Sequence, residues 1–358
     1  MYFILNGKKF FITIIILLIL ITMGFSFYAN YSQQSLETLY TNATAPTEKK
    51  IIKWVDFSVK YQVMAQALQY DINSHKDGEV QLNWIELLSY AAAKCGGNFK
   101  DRKNADIDKV VKRLKKGETM DIITSGMKYY SFYLEAYTAV LGGFVGEYWI
   151  EVDNPEKPGD KKLESRYGLK VFSPIAKNYG FNHYDDFGVS RSYGYKRNHK
   201  GNDLMTGIGT PIVAVEGGIV EELGWNQYGG WRIGIRSFDN KRYYYYAHLR
   251  KGHPYHYSLS KGQPVYAGEV IGYVGMTGYS SKENTNNIKS PHLHFGMQLI
   301  FDESQKEAVS QIWIDVYQIV KLLQKNCSAV VKNSETKDYN TKVKIIPKER
   351  SIETFNIE

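Results

Sequence analysis

The sequence predicts an α+β protein: an N-terminal transmembrane helix, a helical extracytoplasmic region, and an antiparallel β-sheet domain that ends in a C-terminal helix. Three observations predict it. An uncharged apolar run fills residues 10–29, a 3.6-residue apolar period recurs between residues 54 and 141, and from residue 211 short strand-like runs alternate with glycine-bearing turns. The 358 residues, 43% apolar and 23% charged, have the balance of a globular chain, which excludes collagen, coiled coil and wholesale disorder. Lys+Arg 45 against Asp+Glu 37 gives +8, which favours anionic surroundings without choosing among phosphate polymers, acidic headgroups and nucleic acid.

At about 1.5 Å per residue, Phe10 to Ala29 is long enough to span a bilayer core of about 30 Å. Lys8 and Lys9 flank it on the N-terminal side, so the positive-inside tendency keeps that end in the cytoplasm and sends the remainder across. A cleaved secretory signal would export the chain equally, but Phe25 to Asn30 shows no clear small-x-small cleavage site. Residues 1–30 are therefore read as an anchor. Residues 31–50, rich in Ser, Thr, Asn and Gln without an apolar period, are read as a flexible linker.

Within residues 51–150, the stretches Trp54 to Tyr70, Trp84 to Lys94, Asn104 to Lys116 and Lys128 to Leu141 are expected as helices. The third is the clearest, with Ile107, Val110, Val111 and Leu114 on one face, Asn104 as its cap and Gly117 as its end. Residues 151–163 carry charge, Pro155, Pro158 and Gly159 but no period, and mark the boundary to a second domain at 165–325. There, Pro211 to Val215, Trp231 to Ile235, Arg242 to Leu249, Val270 to Val274 and Leu293 to Ile300 are expected strands, and Gln311 to Lys325 a final amphipathic helix. Residues 328–358 look like a polar tail. Cys95 and Cys327 form no CxxC pair, so no thiolate zinc cluster is available, and the sequence leaves open whether they bond to each other.

The chemistry lies in three local patterns. In His199-Lys-Gly-Asn-Asp203, Gly201 argues against a helix, so an imidazole and a carboxylate converge from a loop. His248 ends a tyrosine run, and the two-residue period of a strand puts Tyr244, Tyr246 and His248 on one face. In His292-Leu293-His294 both imidazoles point the same way, about 6 to 7 Å apart. Each pattern alone has an ordinary structural explanation; together, in order, they supply what a hydrolytic zinc site needs. That is three N/O ligands with one open position, and further imidazoles to handle protons. Bound water at such a site has its pKa lowered from about 15.7 to about 7.

These residues sit in a longer series: Gly209-Thr-Pro-Ile-Val-Ala214, Gly218-x-Val220, Tyr246-Ala-His248-Leu249, Ala267-Gly-x-x-Ile-Gly272, Gly275-x-Thr-Gly278 and Ser290-Pro-His-Leu-His-Phe295. Over about residues 185 to 300 the sequence resembles the LytM/lysostaphin-type zinc metallopeptidases, the M23 peptidase family, in a membrane-anchored Gram-positive form. The resemblance implies a compact antiparallel LytM-like fold with a groove, one Zn²⁺, and cleavage of stem peptides or cross-bridges of peptidoglycan, with no nucleic-acid partner. It implies His199, Asp203 and His294 as metal ligands and His248 and His292 as unligated catalytic histidines. Tyr193 stands where some members place a transition-state donor, and Tyr228-Gly-Gly230 resembles a loop lining the groove. Asn202 departs from the family, which commonly has an apolar residue there. His75, His183, His253 and His256 match no motif position and are read as surface or structural. The rival reading is a catalytically inactive scaffold or activator on the same fold, which would be expected to lack one of the five site residues. The setting implied is the outer face of the cell membrane, against the wall.

Overall fold

The computed structural model describes residues 51–348 apart from 77, 100–104 and 158. The expected anchor, the linker and the Asn104 cap lie outside the described residues. Among the described residues no helix is long and apolar enough to cross a membrane. Helices α1 (Tyr61–Ser74), α2 (Trp84–Cys95), α3 (Ala105–Leu114), α4 (Met120–Thr124) and α5 (Tyr130–Leu141) come first, followed by the hairpin of β1 (Val145–Asp153) and β2 (Lys161–Leu169). Next are β3 (Asn182–His183), β4 (Ser190–Tyr193), β5 (Tyr195–Asn198), β6 (Asn202–Met205), β7 (Pro211–Val213), β8 (Gly218–Asn226), β9 (Gly230–Ser237) and β10 (Arg242–Ala247). The chain continues through β11 (Pro264–Val265), β12 (Val270–Tyr273), β13 (His292–Leu299), β14 (Ile312–Ile314), α6 (Tyr317–Leu323), β15 (Val330–Lys332), β16 (Tyr339–Thr341) and β17 (Ile345–Pro347).

The principal sheet runs β11-β8-β9-β10-β13-β6-β3, with β14 also on β13. Its neighbours pair antiparallel, and the register sets His294 opposite both Asp203 on β6 and Ala247 on β10. The inner face buries Leu204, Ile233, Ile235, Tyr244, Tyr246, Leu293 and Phe295, and the opposite face of β10 and β13 carries the chemistry.

Several expectations shift, each for a packing reason. Residues 52–60 form neither helix nor strand and the first helix starts only at Tyr61, with Val55, Phe57 and Val59 buried at every second position. Helix α3 buries the face expected of it, Ile107, Val110, Val111 and Leu114. The expected C-terminal helix divides: Ile312 and Ile314 flank a half-buried Trp313 on strand β14, and only Tyr317–Leu323 is helical. Residues 151–163, read as a boundary, form the turn and adjoining strand ends of the β1–β2 hairpin, and the part of the tail up to Lys348 contributes three strands, β17 pairing with β1. Cys95 and Cys327 are not joined by a disulfide.

The helices and the sheet share one hydrophobic core, to which Trp84, Tyr137 and Phe144 contribute alongside Val215, Tyr244 and Phe295. A buried cation ties them together. Arg242, on β10 and fully buried, donates from Nη1 to the carbonyl of Ala139 in α5 at 2.7 Å, and from Nε and Nη2 to Glu216 at 2.8 and 3.0 Å. Glu216 also accepts from Tyr244 Oη at 2.6 Å. The approach leaves no room at Gly143, where a Cβ would lie 1.6 Å from Glu216 Oε1.

Arg242→Ala would leave Glu216 buried without its charge partner, a loss of about 3–5 kcal/mol; urea unfolding is expected to show it. His183 supplies a second test. Neither ring nitrogen has a hydrogen-bond partner among the described residues, and burial lowers its pKa from 6.5 to about 4. The folded state resists the proton that the unfolded state accepts, so stability is full above pH 6.5 and falls as pH drops towards 4. Between pH 7 and 5 the wild type should lose on the order of 1 kcal/mol more than His183→Phe, allowing for partial exposure.

Candidate metal centre and peptide groove

Three side chains from two adjoining strands and the loop before them meet at one point. His199 lies in the turn from β5 to β6, Asp203 on β6 and His294 on β13. His199 Nε2 is 2.8 Å from His294 Nδ1 and 3.1 Å from Asp203 Oδ1, and His294 Nδ1 is 3.2 Å from the same oxygen. With Zn–N and Zn–O bonds of about 2.0–2.1 Å, a tetrahedral ion spaces its ligand atoms by about 3.3 Å. The two imidazoles and one carboxylate therefore fit a zinc ion in both donor type and spacing. The turn can come this close only because residue 201 is glycine: a Cβ there would lie 2.6 Å from the Phe295 carbonyl and 2.8 Å from the His294 ring.

A further layer of contacts fixes these ligands, and sequence reasoning missed it. His199 Nδ1–H donates to the Asp186 carbonyl at 3.0 Å, which leaves Nε2 as the lone-pair atom facing the centre. Asp203 turns Oδ1 inward while Oδ2 accepts from Arg191 Nη2 at 2.9 Å, and the same nitrogen reaches Asp186 at 2.7 Å. Asp186 Oδ1 accepts from the Asp203 backbone N–H at 3.2 Å. Asn202, the departure from the family pattern, is fully buried, and its Oδ1 accepts from the Val316 backbone N–H at 3.2 Å, so a polar residue is satisfied where an apolar one is common. The only signal for Arg191 and Asp186 was charged residues shortly before the motif.

The charges are strongly coupled. Burial alone would lower the His199 pKa, but hydrogen bonds to Asp186 and Asp203 outweigh it and raise it to about 9. Burial acts to raise the Asp203 pKa, and the bonds to His199 and His294 overcome it, so the carboxyl stays well below the ordinary range. His294 is lowered, first by burial.

His248 and His292 stand beside the triad with their rings 4.8 Å apart. His248 Nδ1–H donates to the Thr277 carbonyl and His292 Nδ1–H to the Ser290 carbonyl, each at 2.9 Å, which leaves both Nε2 atoms available. His292 Nε2 is 3.6 Å from Asp203 Oδ1. Burial, then the neighbouring imidazoles, hold His248 well below its ordinary pKa, so it is neutral. The expected face assignment is corrected here. Tyr244 and Tyr246 point into the core, whereas Tyr245 and Ala247 line the groove, and His248 joins them because its φ of 62° breaks the strand alternation.

The groove, about 810 Å³, is lined by all five of these residues together with Tyr195, Arg197, Tyr228, Gly229, Tyr279 and Lys289, and by no described residue of the helical region. Of the Tyr228-Gly-Gly230 loop, Tyr228 and Gly229 line the groove and Gly230 does not; both glycines are required by internal packing, since a Cβ at 229 would strike Tyr245 Oη at 2.3 Å and one at 230 the Thr277 backbone. Tyr193 is not among the lining residues; it stacks on Tyr279 at 5.1 Å and meets Tyr228 edge-on. His75 stacks on Tyr167, while His253 bonds Asp338 and His256 bonds Ser258.

A carboxylate–histidine triad beside two further imidazoles in an open groove defines a metallohydrolase type of site. The model of Peptidase family M23 matches residues 197–309, and that segment belongs to the family. The chain is 40% identical over 127 residues to the L-Ala–D-Glu endopeptidase of Bacillus subtilis (35% of this chain, 36% of that protein). It is 33% identical over 133 residues to the glycyl-glycine endopeptidase ALE-1 of Staphylococcus capitis (37% and 32%). It thus spans about a third of the length of these curated relatives. A solved Ruminococcus gnavus structure, described as a candidate glycyl-glycine endopeptidase lytM, shares the fold with a TM-score of 0.50 and 22% identity over 78% of this chain and 92% of its own. That coverage exceeds the family segment, so the shared fold extends beyond the sheet that holds the site.

His294→Ala should abolish stoichiometric zinc binding, and Arg191→Gln should weaken it about 10–100-fold, as read by competition with a chromophoric chelator. Because His199 must lose its proton to ligate, zinc binding at pH 7 is expected to release about one proton, seen as a buffer-dependent calorimetric enthalpy, and to weaken as pH falls.

Proposed function

We propose that the chain is a zinc-dependent endopeptidase that hydrolyses peptide bonds of bacterial peptidoglycan, stem peptide or cross-bridge. On this reading residues 1–30 anchor it as a single-pass protein of the cell membrane with its folded part on the wall side. The observation that carries the proposal is the convergence of His199 Nε2, Asp203 Oδ1 and His294 Nδ1 within about hydrogen-bond distance, in a groove that also presents the Nε2 atoms of His248 and His292. Relatives named an L-Ala–D-Glu endopeptidase, a glycyl-glycine endopeptidase and, in Vibrio cholerae, a peptidoglycan DD-endopeptidase support the substrate class.

A zinc ion held by the triad would supply Lewis acidity and an activated water at neutral pH. The protein's own part is proton handling and positioning. His292, its Nδ1–H fixed on Ser290, keeps a lone pair beside Asp203 and can take the proton of the attacking water. His248, neutral and fixed on Thr277, shares that face; whichever imidazole becomes protonated can donate to the oxyanion or the departing amine. Tyr228 and Gly229 provide a wall against which an extended peptide can lie close to the backbone.

The test is turnover of isolated peptidoglycan by the zinc-loaded full chain, with released fragments identified by mass spectrometry. His292→Ala is expected to keep about one zinc per chain while losing roughly 100- to 10,000-fold in rate. Joint loss of metal would move His292 into the ligand set. Stoichiometric zinc with no fragment released from any wall preparation would assign the chain to the inactive scaffolds.

A further inference from the structure

We propose that Arg197 receives a free carboxylate of the substrate close to the bond that is cut, so that the groove selects acidic peptides over uncharged, glycine-like ones. This rests on the endopeptidase reading and names its substrate class.

Arg197 lies on β5 directly opposite Arg191 on β4. Like charges facing each other across a strand pair repel, so each needs an anion. Arg191 has two, Asp186 and Asp203. Arg197 has none among the described residues, and its Nη1 is buried without a hydrogen-bond partner. Its guanidinium is held in another way, over the ring of Tyr228 at 4.9 Å and that of Tyr279 at 5.3 Å. Ring faces fix the plane of a guanidinium while leaving its in-plane N–H donors uncommitted. A rigid fork with open donors matches a carboxylate bidentately.

Position makes the anion a substrate's. Arg197 lines the groove that contains the metal triad and also an adjoining cavity of about 480 Å³; the two share Arg197, Lys200, Tyr228, Tyr245 and His294. The groove lining holds four basic side chains, Arg191, Arg197, Lys200 and Lys289, against one carboxylate, that of Asp203, which the triad itself uses. Lys200 donates to Gln311 at 2.9 Å, and of the remaining two, Arg197 and Lys289, it is Arg197 whose plane is set by the Tyr228 and Tyr279 rings. A polyglycine strand offers no anion to this field; a peptide with an ionised glutamyl carboxylate does.

The experiment compares two synthetic peptides that differ only at the glutamyl residue beside the scissile bond, its free carboxyl ionised in one and amidated in the other. Both are offered to the zinc-loaded full chain. The wild type is expected to favour the carboxylate peptide by about 10- to 100-fold in kcat/KM. Arg197→Gln should bring that ratio to within about twofold of one, and Arg197→Lys should restore part of it. Arg197→Gln with the preference intact, or a wild type indifferent to amidation, overturns the assignment. If neither these peptides nor isolated peptidoglycan is cut, the endopeptidase reading fails on its own account, and calorimetric binding of the same two peptides decides. Equal affinities overturn the role of Arg197, and a carboxylate preference lost in Arg197→Gln upholds it.

Discussion

The pairing register between β6 and β13 is the constraint on which the site depends. It places His294 opposite Asp203, so that a carboxylate and an imidazole on neighbouring strands face the same solvent-side point. Because side chains alternate, a slip of one residue would send both ligands into the core and bring Leu204 and Leu293 out to water. Burial of those two leucines at 0% exposure therefore holds the metal centre in place. The hydrophobic core and the chemistry are two faces of one set of hydrogen bonds.

From that register the rest follows by neighbourhood. The β4–β5 hairpin sets Arg191 against Asp203, so the carboxylate presents one oxygen and anchors the other. The loop after β12 and the approach to β13 supply the carbonyls of Thr277 and Ser290 that fix the tautomers of His248 and His292. Burial and the neighbouring imidazoles hold His248 neutral, and a carbonyl acceptor at Nδ1 opposes them only weakly, whereas His199, held between Asp186 and Asp203, is drawn towards its charged form. Identical side chains are thus given different protonation states by what lies behind each ring.

Much of this was legible in the residues. The spacing of His292 and His294 and the glycine at 201 determine strand and turn, and His199, Asp203 and His294 do converge. What was not legible depended on a single backbone angle or on contacts distant in sequence. No period reveals that His248 adopts a positive φ, so the face shared with Tyr244 and Tyr246 was misassigned while its place in the groove was not. Arg191 and Asp186 look like ordinary hairpin charges until the fold turns them inward. Gln311 to Lys325 satisfies a helical period, yet the open edge beside β13 captures Ile312–Ile314 as a strand, a tertiary preference stronger than the local one. The strands of the expected tail were hidden for the same reason: β17 has only three residues, and its partner β1 lies far upstream.

The bond from Arg242 to the carbonyl of Ala139 sets a limit on modular exchange. The family segment begins at residue 197 and contains Arg242, Glu216 and Asp239, but not the helix end that receives the guanidinium. A chimaera grafting that segment alone onto another carrier would keep the carboxylates of Glu216 and Asp239 but leave Nη1 of the arginine without the carbonyl it donates to. The natural unit of recombination therefore extends back through α5, and any crossover tolerated by selection should fall upstream of it.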